Sequence, residues 1–441
     1  MENLFSNHKK SLFLAIFFSI LLKLLFFFIL YNYNENFYSF ADQSKYLDLS
    51  EKLLEGNFFD KSFGALRMPI YLIFLALSKL IFQNNIYLII IFQIFLGSIL
   101  LFLVYRVALF VNKKVAIISL FLSSISIGFI NASIFILTEA IFLIFFLSFF
   151  LNLLNFLFQN SDELKLKPLI YCALFFSLST LTRPITFYFI ILILFFFQYF
   201  SIKSSLKYIS IFFIIFSIVI SPWCWRNYKN FGYYKLDASI GPNLIGYYLP
   251  YFYSENNKVS QTEVKKYIDD LIEEADHPNP FKASDKAKKI FFKEIKSLSI
   301  NSIIIPYSSG TIKHLFSPAI IETLYMANIK KTNFSQIQEY KFFKKVYIFL
   351  FKNENKIYSS IVIFFSIFSI ISIILAFSSF FFLKENKNRT IFFIFLTVIL
   401  INLILVGPLG SPRYRLVIDP LLIILLSYSI FKIFSKNKIN E

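Results

Sequence analysis

The sequence predicts an all-α polytopic membrane protein with about ten transmembrane helices, and three observations carry that expectation. The chain of 441 residues is 57% hydrophobic, with 62 Phe against only 10 Gly and 13 Pro. Its mean hydropathy is positive, and no water-soluble domain of this length buries so much apolar surface. Runs such as "SLFLAIFFSILLKLLFFFILY" (11–31) and "IYSSIVIFFSIFSIISIILAFSSFFFL" (357–383) exceed the ~20 apolar residues that cross a bilayer.

The first of these runs follows "MENLFSNHKK". It is too long for the apolar core of a signal peptide and has no small-residue cleavage site, so it reads as a retained first span. Further spans are expected at 86–105, 115–133, 139–158, 168–182, 184–200, 206–222, 357–383, 390–408 and 416–434. The piece "MPIYLIFLALSKLIF" (68–82) is short for a span and carries a proline at its start. Counted as a span, it would put "YRVALFVNKK" on the side opposite the basic N-terminus. Treated as an interfacial or half-inserted helix, it leaves "NHKK", "YRVALFVNKK", "LKLK", "SIKSSLK", "LKENKNR" and "KIFSKNK" all on one side. Those linkers hold 15 Lys and Arg, which makes that side cytoplasmic. Both termini then lie inside the cell.

This topology divides the chain into three parts: a transmembrane module at 1–222 with its first outside loop at 32–85, an extracytoplasmic or interfacial helical region at 223–356, and a three-span module at 357–441. In the middle region "SQTEVKKYIDDLIEEA" opens with Ser260 and Glu263 at capping-box spacing. It sets Val264, Tyr267, Leu271 and Ile272 on one helical face. A second helix is expected from Ser284. "QEYKFFKKVYIFLFKNENKIY" reads as a basic amphipathic helix lying on the membrane before the next span.

The net charge of +18 excludes little by itself. No basic-aromatic module accompanies it, and the lysines flank spans where they meet lipid headgroups, so nucleic acid is not an expected partner. Cys172 and Cys224 lie in unrelated segments and build neither a disulfide framework nor a zinc site. His8, His277 and His314 are scattered, and no phosphate-binding glycine loop occurs.

Against this background a few charges stand out. The outside segments carry arginines pressed against apolar helix ends: Arg67 in "ALRMPIY", Arg183 in "LTRPI", Arg226 in "SPWCWRNYKNFG", and Arg413 and Arg415 in "SPRYR". Any one of them reads as snorkelling to an interface. All five at one membrane level suit a lipid-linked phosphate or diphosphate, whose oxygens the planar guanidinium grips in pairs. Of the last two, Arg413 is the expected ligand, while Arg415 lies farther into the following span and reads as packing.

Two carboxylates complete the set. Asp42 precedes an amphipathic helix in which Tyr46, Leu49, Leu53 and Leu54 share a face and Gly56 takes the C-cap position. Asp48, Glu51 and Glu55 lie on its solvated side. Asp42 reads equally as a simple N-cap. Glu139 in "FILTEAIFLIFF" is the only acidic residue between positions 60 and 162. It reads either as a carboxylate favoured by a helix dipole or as a second acid facing the cavity of Asp42. A divalent cation shared by Asp42 and Glu139 stays open.

A carboxylate near such arginines suits transfer of a group from a lipid phosphate to a hydroxyl or amine. The base takes the acceptor's proton, and the arginines stabilise charge growing on the departing phosphate.

The ordered series "ADQSKYLDLSEKLLEG", "RMPIYLIFLAL", "LTEA", "LTRPI", "SPWCWRNYKNFG" and "SPRYRLVIDPLLIILL" resembles the GT-C membrane glycosyltransferases over about residues 10–430. The likeness is to the family-39-like branch, similar to protein mannosyltransferases and to the enzymes that add aminoarabinose to lipid A. It implies a GT-C-like bundle with juxtamembrane helices in the first outside loop, which agrees with the half-inserted reading of 68–82. It also implies a polyprenyl-phosphate sugar donor, a glycan, lipid or protein acceptor, and an active site on the extracytoplasmic side of the cytoplasmic membrane. Asp42 matches the first-loop aspartate, the family's catalytic base. Glu139 matches the acidic position of the second outside loop, where many relatives have Asp. Arg67, Arg183 and Arg226 match basic positions of three motifs, and Arg413 with Tyr414 matches the late "RY" pair, all on the donor-phosphate side.

Other classes remain in competition. A flippase or transporter of lipid-linked glycans would line its path with such arginines, but internal repeats and Gly/Pro-broken spans mark many transporters and neither is obvious here. A polymerase or ligase of lipid-diphosphate glycans would also use outside arginines. A non-catalytic assembly protein of the membrane is the fourth class.

Overall fold

A computed structural model of the chain describes residues 8–40, 42–158, 166–256, 261–329 and 342–437. Helices account for nearly all of its regular structure, and no strand occurs among the described residues. The chain is an all-α polytopic membrane protein.

The N-terminal half runs α1 (His8–Tyr33), α2 (Asp42–Leu54), α3 (Pro69–Ile81), α4 (Ile86–Ala108), α5 (Lys113–Ser124), α6 (Ile127–Ile134), α7 (Glu139–Phe158) and α8 (Leu166–Thr180). A 3₁₀ stretch (Pro184–Phe195) with a last α turn (Phe196–Tyr199) follows, and then α9 (Ile202–Phe231). The middle region holds α10 (Gln261–Ala275), α11 (Pro280–Ser297), α12 (Ile300–Phe316) and α13 (Ile320–Met326). The C-terminal part runs α14 (Phe342–Phe351), α15 (Lys356–Ser378), α16 (Asn386–Val406), the short α17 (Pro412–Arg415) and α18 (Asp419–Asn437).

Among the described residues six helices are long and apolar enough to cross a membrane: α1, α4, α7, α9, α15 and α16, the last two with their 3₁₀ extensions. α5 and α6 form a seventh span if taken together, bent by 56°. The expected 115–133 span is therefore broken, because Ile125 and Ser126 leave the helical region, with Ser126 extended at ψ 114. α3, α8 and the Pro184–Tyr199 segment are shorter apolar helices. At 13 residues, α3 reaches about 20 Å, too little for a ~30 Å hydrocarbon layer.

The expected 184–200 span is, among the described residues, a shorter apolar segment of another helical type. Its first 12 residues are 3₁₀, which rise about 2.0 Å each, so the whole segment of 16 residues reaches roughly 30 Å.

Apolar side chains pointing away from the bundle, such as Phe13, Phe17, Leu21, Leu25 and Phe28 on α1, stay exposed, which suits lipid contact. Inward, one continuous core runs from Ala15 on α1 to Tyr428 on α18. The middle region has a smaller core of its own, from Ile245 to Phe291.

Two local expectations in that region change. On α10 the buried face is Val264, Ile268, Leu271 and Ala275, while Tyr267 and Ile272 are exposed. Ser260, the expected cap, lies outside the described residues. α11 begins at Pro280 rather than Ser284, because the Asn279 side chain accepts from the backbone N–H of Phe281 and Lys282 and Pro280 suits the first helical position. The expected amphipathic helix before α15 is described only as α14.

Candidate active site

The site is built at the ends of helices that meet at one end of the bundle. Asp42 is the first residue of α2, and the residue after it fixes its place. The Gln43 side chain is fully buried; its Nε2 donates to Phe37 O (2.8 Å) and its Oε1 accepts from Ile136 N (2.8 Å). That pair joins the start of α2 to the segment leading into Glu139 at the head of α7.

A second buried amide supports the same segment from below. Gln93 Nε2 donates to Phe135 O (2.7 Å) and Ser133 O (3.1 Å), while Tyr71 OH donates to Gln93 Oε1 (3.0 Å). Buried backbone carbonyls at a helix end need such partners. The buried face of α2 is therefore Gln43, Tyr46 and Ser50, with Leu54 exposed. Gly56 closes the helix at φ +82, a conformation open to glycine. Glu51 is mostly exposed but accepts from the buried Lys79 of α3 at 2.8 Å, so it ties the two loop helices together.

Five charged side chains converge on this frame. Arg67 Nη2 meets Asp42 Oδ1 at 2.7 Å. Arg413 reaches both acids: its Nε donates to Glu139 Oε1 at 2.6 Å and its Nη1 faces Asp42 Oδ2 at 3.4 Å. Arg183 Nη1 meets the same Glu139 oxygen at 3.3 Å. Three guanidinium groups thus face two carboxylates, leaving a surplus of one positive charge. Burial is graded, with Glu139 at 2%, Arg413 at 20% and Asp42 at 29% exposed, so the set opens toward Asp42 and Arg67.

Both oxygens of Asp42 accept from arginine, which takes it beyond a simple N-cap. Rings pack on the cations: Arg67 lies over Tyr46, and Arg183 over Phe142 and Tyr414. Burial alone would lower the pKa of Arg413, but the Glu139 and Asp42 carboxylates outweigh it and hold the guanidinium charged. Burial raises the Tyr414 phenol, which stays neutral.

A third carboxyl, without a motif to mark it, stands beside this set. Glu322 on α13 accepts from Ser411 Oγ at 3.2 Å, next to Arg413. Burial pushes its pKa up to about 7, while Arg413 pulls it down and Glu139 adds to the rise. Its signal in the sequence equals that of Glu139, since it is the only acidic residue between 294 and 339.

Arg226 and Arg415 do not join this convergence. Arg226 is fully buried; its Nε, Nη1 and Nη2 donate to the carbonyls of Phe58 (2.9 Å), Gly64 (2.6 Å) and Asp60 (3.0 Å). The rings of Phe58, Phe63, Trp223 and Phe231 surround it. Its donors clamp the first loop to the end of α9. Replacing Arg226 with Ala is expected to cost roughly 3 kcal/mol, because three part-buried carbonyls lose a charged donor and four rings lose the buried side chain they surround. Thermal unfolding of the purified variant checks this, and a melting temperature within a degree of the parent's would refute it. Arg415 likewise packs: its Nε meets Asp419 at 2.8 Å and its Nη1 the carbonyls of Leu315 (2.6 Å) and Ser317 (2.9 Å).

The donor set does not suit a divalent cation. Magnesium and calcium take six or more oxygens, whereas the oxygens of Asp42 and Glu139 here meet guanidinium nitrogens. Cations arranged around partly exposed acids can instead exchange those acids for the oxygens of an anionic ligand.

Residues 67–225 match the family model for dolichyl-phosphate-mannose-protein mannosyltransferase. That stretch includes Arg67, Glu139 and Arg183, and leaves Asp42, Arg226, Arg413 and Tyr414 outside. No curated protein matches the chain.

Proposed function

We propose that the chain, a membrane glycosyltransferase of the GT-C type, moves a sugar from a polyprenyl-phosphate donor to a hydroxyl or amine of a glycan, lipid or protein. One observation carries this reading: Arg413 bridges Asp42 and Glu139, residues 371 and 274 positions away in the chain. Three arginines and two acids drawn from five separate segments form one cluster, and such convergence suits a phosphate ligand with a base beside it.

In the proposed reaction the donor phosphate displaces carboxylate oxygens from Arg67, Arg183 and Arg413. Asp42, released from part of its ion pairing, accepts the proton of the attacking acceptor. The acceptor oxygen or nitrogen bonds to the anomeric carbon as the bond from that carbon to the phosphate oxygen breaks. The electron pair leaves with the polyprenyl phosphate, whose added charge the arginines stabilise. Before the donor arrives Glu139 keeps Arg183 and Arg413 aimed, and Tyr414 lines the same side. The excess of Lys and Arg on the opposite linkers supports an orientation with this end on the outer face of the cytoplasmic membrane.

The test compares lipid-linked sugars and surface glycans in cells with and without the chain. Accumulation of one polyprenyl-phosphate sugar, with loss of one surface glycan, is the expected result and identifies the donor; an unchanged pool would sink the reading. Purified protein in vesicles separates the competing class, since a flippase moves the lipid across the bilayer without transferring its sugar.

A further inference from the structure

The turn that carries Arg413 is held from three sides. Ser411 caps α17, its Oγ accepting from Arg413 N at 3.2 Å. His314 on α12 contacts Ser411 O through Nδ1 at 3.1 Å. Burial lowers the His314 pKa to about 4, so the ring is neutral at physiological pH and donates from Nδ1 alone. Its Nε2 then accepts from the Asn402 amide 2.7 Å away in the orientation that turns Nδ2 toward the ring. That orientation gives the otherwise unpartnered Asn402 Nδ2 its acceptor. The third side is Glu322.

α13 is itself fastened to the site frame. Asn131 of α6 donates to Ala319 O at 2.9 Å and accepts from Thr323 Oγ1 at 2.7 Å, and Asn34 at the end of α1 donates to Met326 O at 2.8 Å. A helix so pinned presents its one acidic residue to Ser411 from a fixed place.

We propose that Glu322 is a positioning residue for the donor phosphate: through the Ser411 hydroxyl it sets the aim of Arg413, and its ionisation governs how readily Arg413 leaves the acids for the ligand. This rests on the glycosyltransferase reading and adds to it a control of donor affinity. The charged groups facing Glu322 are Arg413 from the turn and Glu139 from the head of α7; His314, on the other side of Ser411, is neutral. With Glu322 protonated, Arg413 is shared by two carboxylates. Once Glu322 ionises, a third negative charge holds Arg413 and repels an incoming phosphate. Donor affinity therefore falls as pH rises through about 7.

The experiment measures binding of farnesyl methyl phosphate to the full chain in lipid nanodiscs. This phosphodiester carries one charge that does not titrate near neutrality. Parent affinity should fall about five- to tenfold between about pH 6 and about pH 8.5, the effect of one nearby charge. Glu322→Gln keeps an oxygen for the Ser411 hydroxyl and loses the charge, so it should hold the acid-side affinity throughout. Glu322→Ala, which breaks the link, should bind about tenfold more weakly than Glu322→Gln at every pH, and Ser411→Ala about tenfold more weakly than Glu322→Gln at about pH 6.

A Glu322→Gln protein that titrates like the parent, or an alanine variant that binds as well as Glu322→Gln, would overturn the proposal and leave the function standing. Failure of the parent to bind the diester at any pH would overturn both. Melting curves run alongside identify a variant that has merely unfolded; should Glu322→Ala do so, the comparison of Glu322→Gln with the parent decides.

Discussion

Asn in place of Asp42 is expected to lower sugar transfer by about a thousandfold, within the range a general base contributes, without changing membrane insertion or abundance. The physical reason lies in the two oxygens of Asp42. The amide retains an oxygen for Arg67, at 2.7 Å in the parent, so the start of α2 stays pinned by that bond and by Gln43. What is lost is the charge that accepts a proton from the acceptor. Donor KM should stay level or fall, because Arg67 and Arg413 lose a competitor for the phosphate. Turnover of purified Asp42→Asn with the donor identified in cells is the measurement. Transfer at the parent's rate would remove Asp42 from the role of base.

Loss of the Arg413 side chain strikes the other half of the chemistry. In Arg413→Ala the donor KM should rise about a hundredfold, corresponding to ~2.8 kcal/mol, since a charge-assisted pair to phosphate is among the stronger single contacts. Acceptor KM should hardly move. The variant also leaves Glu139, 2% exposed, with Arg183 as its remaining arginine, so stability should drop by roughly 3 kcal/mol. Lysine at 413 separates the two effects: it restores a charge near Glu139 but cannot direct two N–H groups at separate oxygens. Recovery of melting temperature without recovery of donor KM is expected of Arg413→Lys. Unaltered donor dependence in Arg413→Ala would remove it from the phosphate site.

What the chain makes legible is the isolated charge in apolar surroundings. Arg67, Glu139, Arg183 and Arg413 stand out by that contrast, as do Asp42 and Arg226 by their place in motifs; Arg67 and Arg413 meet Asp42, and Arg183 joins the cluster through Glu139. Arg226 shows why the same signal is ambiguous. A guanidinium fork fits the oxygens of three loop carbonyls as well as those of a phosphate, and only the folded loop decides between them. Gln43 and Gln93 are harder to see, because an amide carries no charge and its value depends on which backbone group it meets. Glu322 lies in a region without a recognisable motif, and its neighbours Ser411 and Arg413 are some ninety residues away.

The places of the apolar helices follow from hydropathy, though among the described residues six of them, or seven with the bent pair, are long enough to cross a membrane where ten spans are expected. Helix type does not follow from hydropathy. The bend at Ser124–Ile127 and the 3₁₀ pitch after Pro184 leave the apolar composition unchanged, so hydropathy is silent about both.

That 3₁₀ pitch has a further consequence. Its 12 residues, rewound as an α-helix, would shorten by about 6 Å. Arg183 sits at the head of this stretch, 3.3 Å from Glu139. A recoil of that size would exceed the length of this contact, so with the far end of the segment in place the meeting of Arg183 with Glu139 depends on the extended pitch.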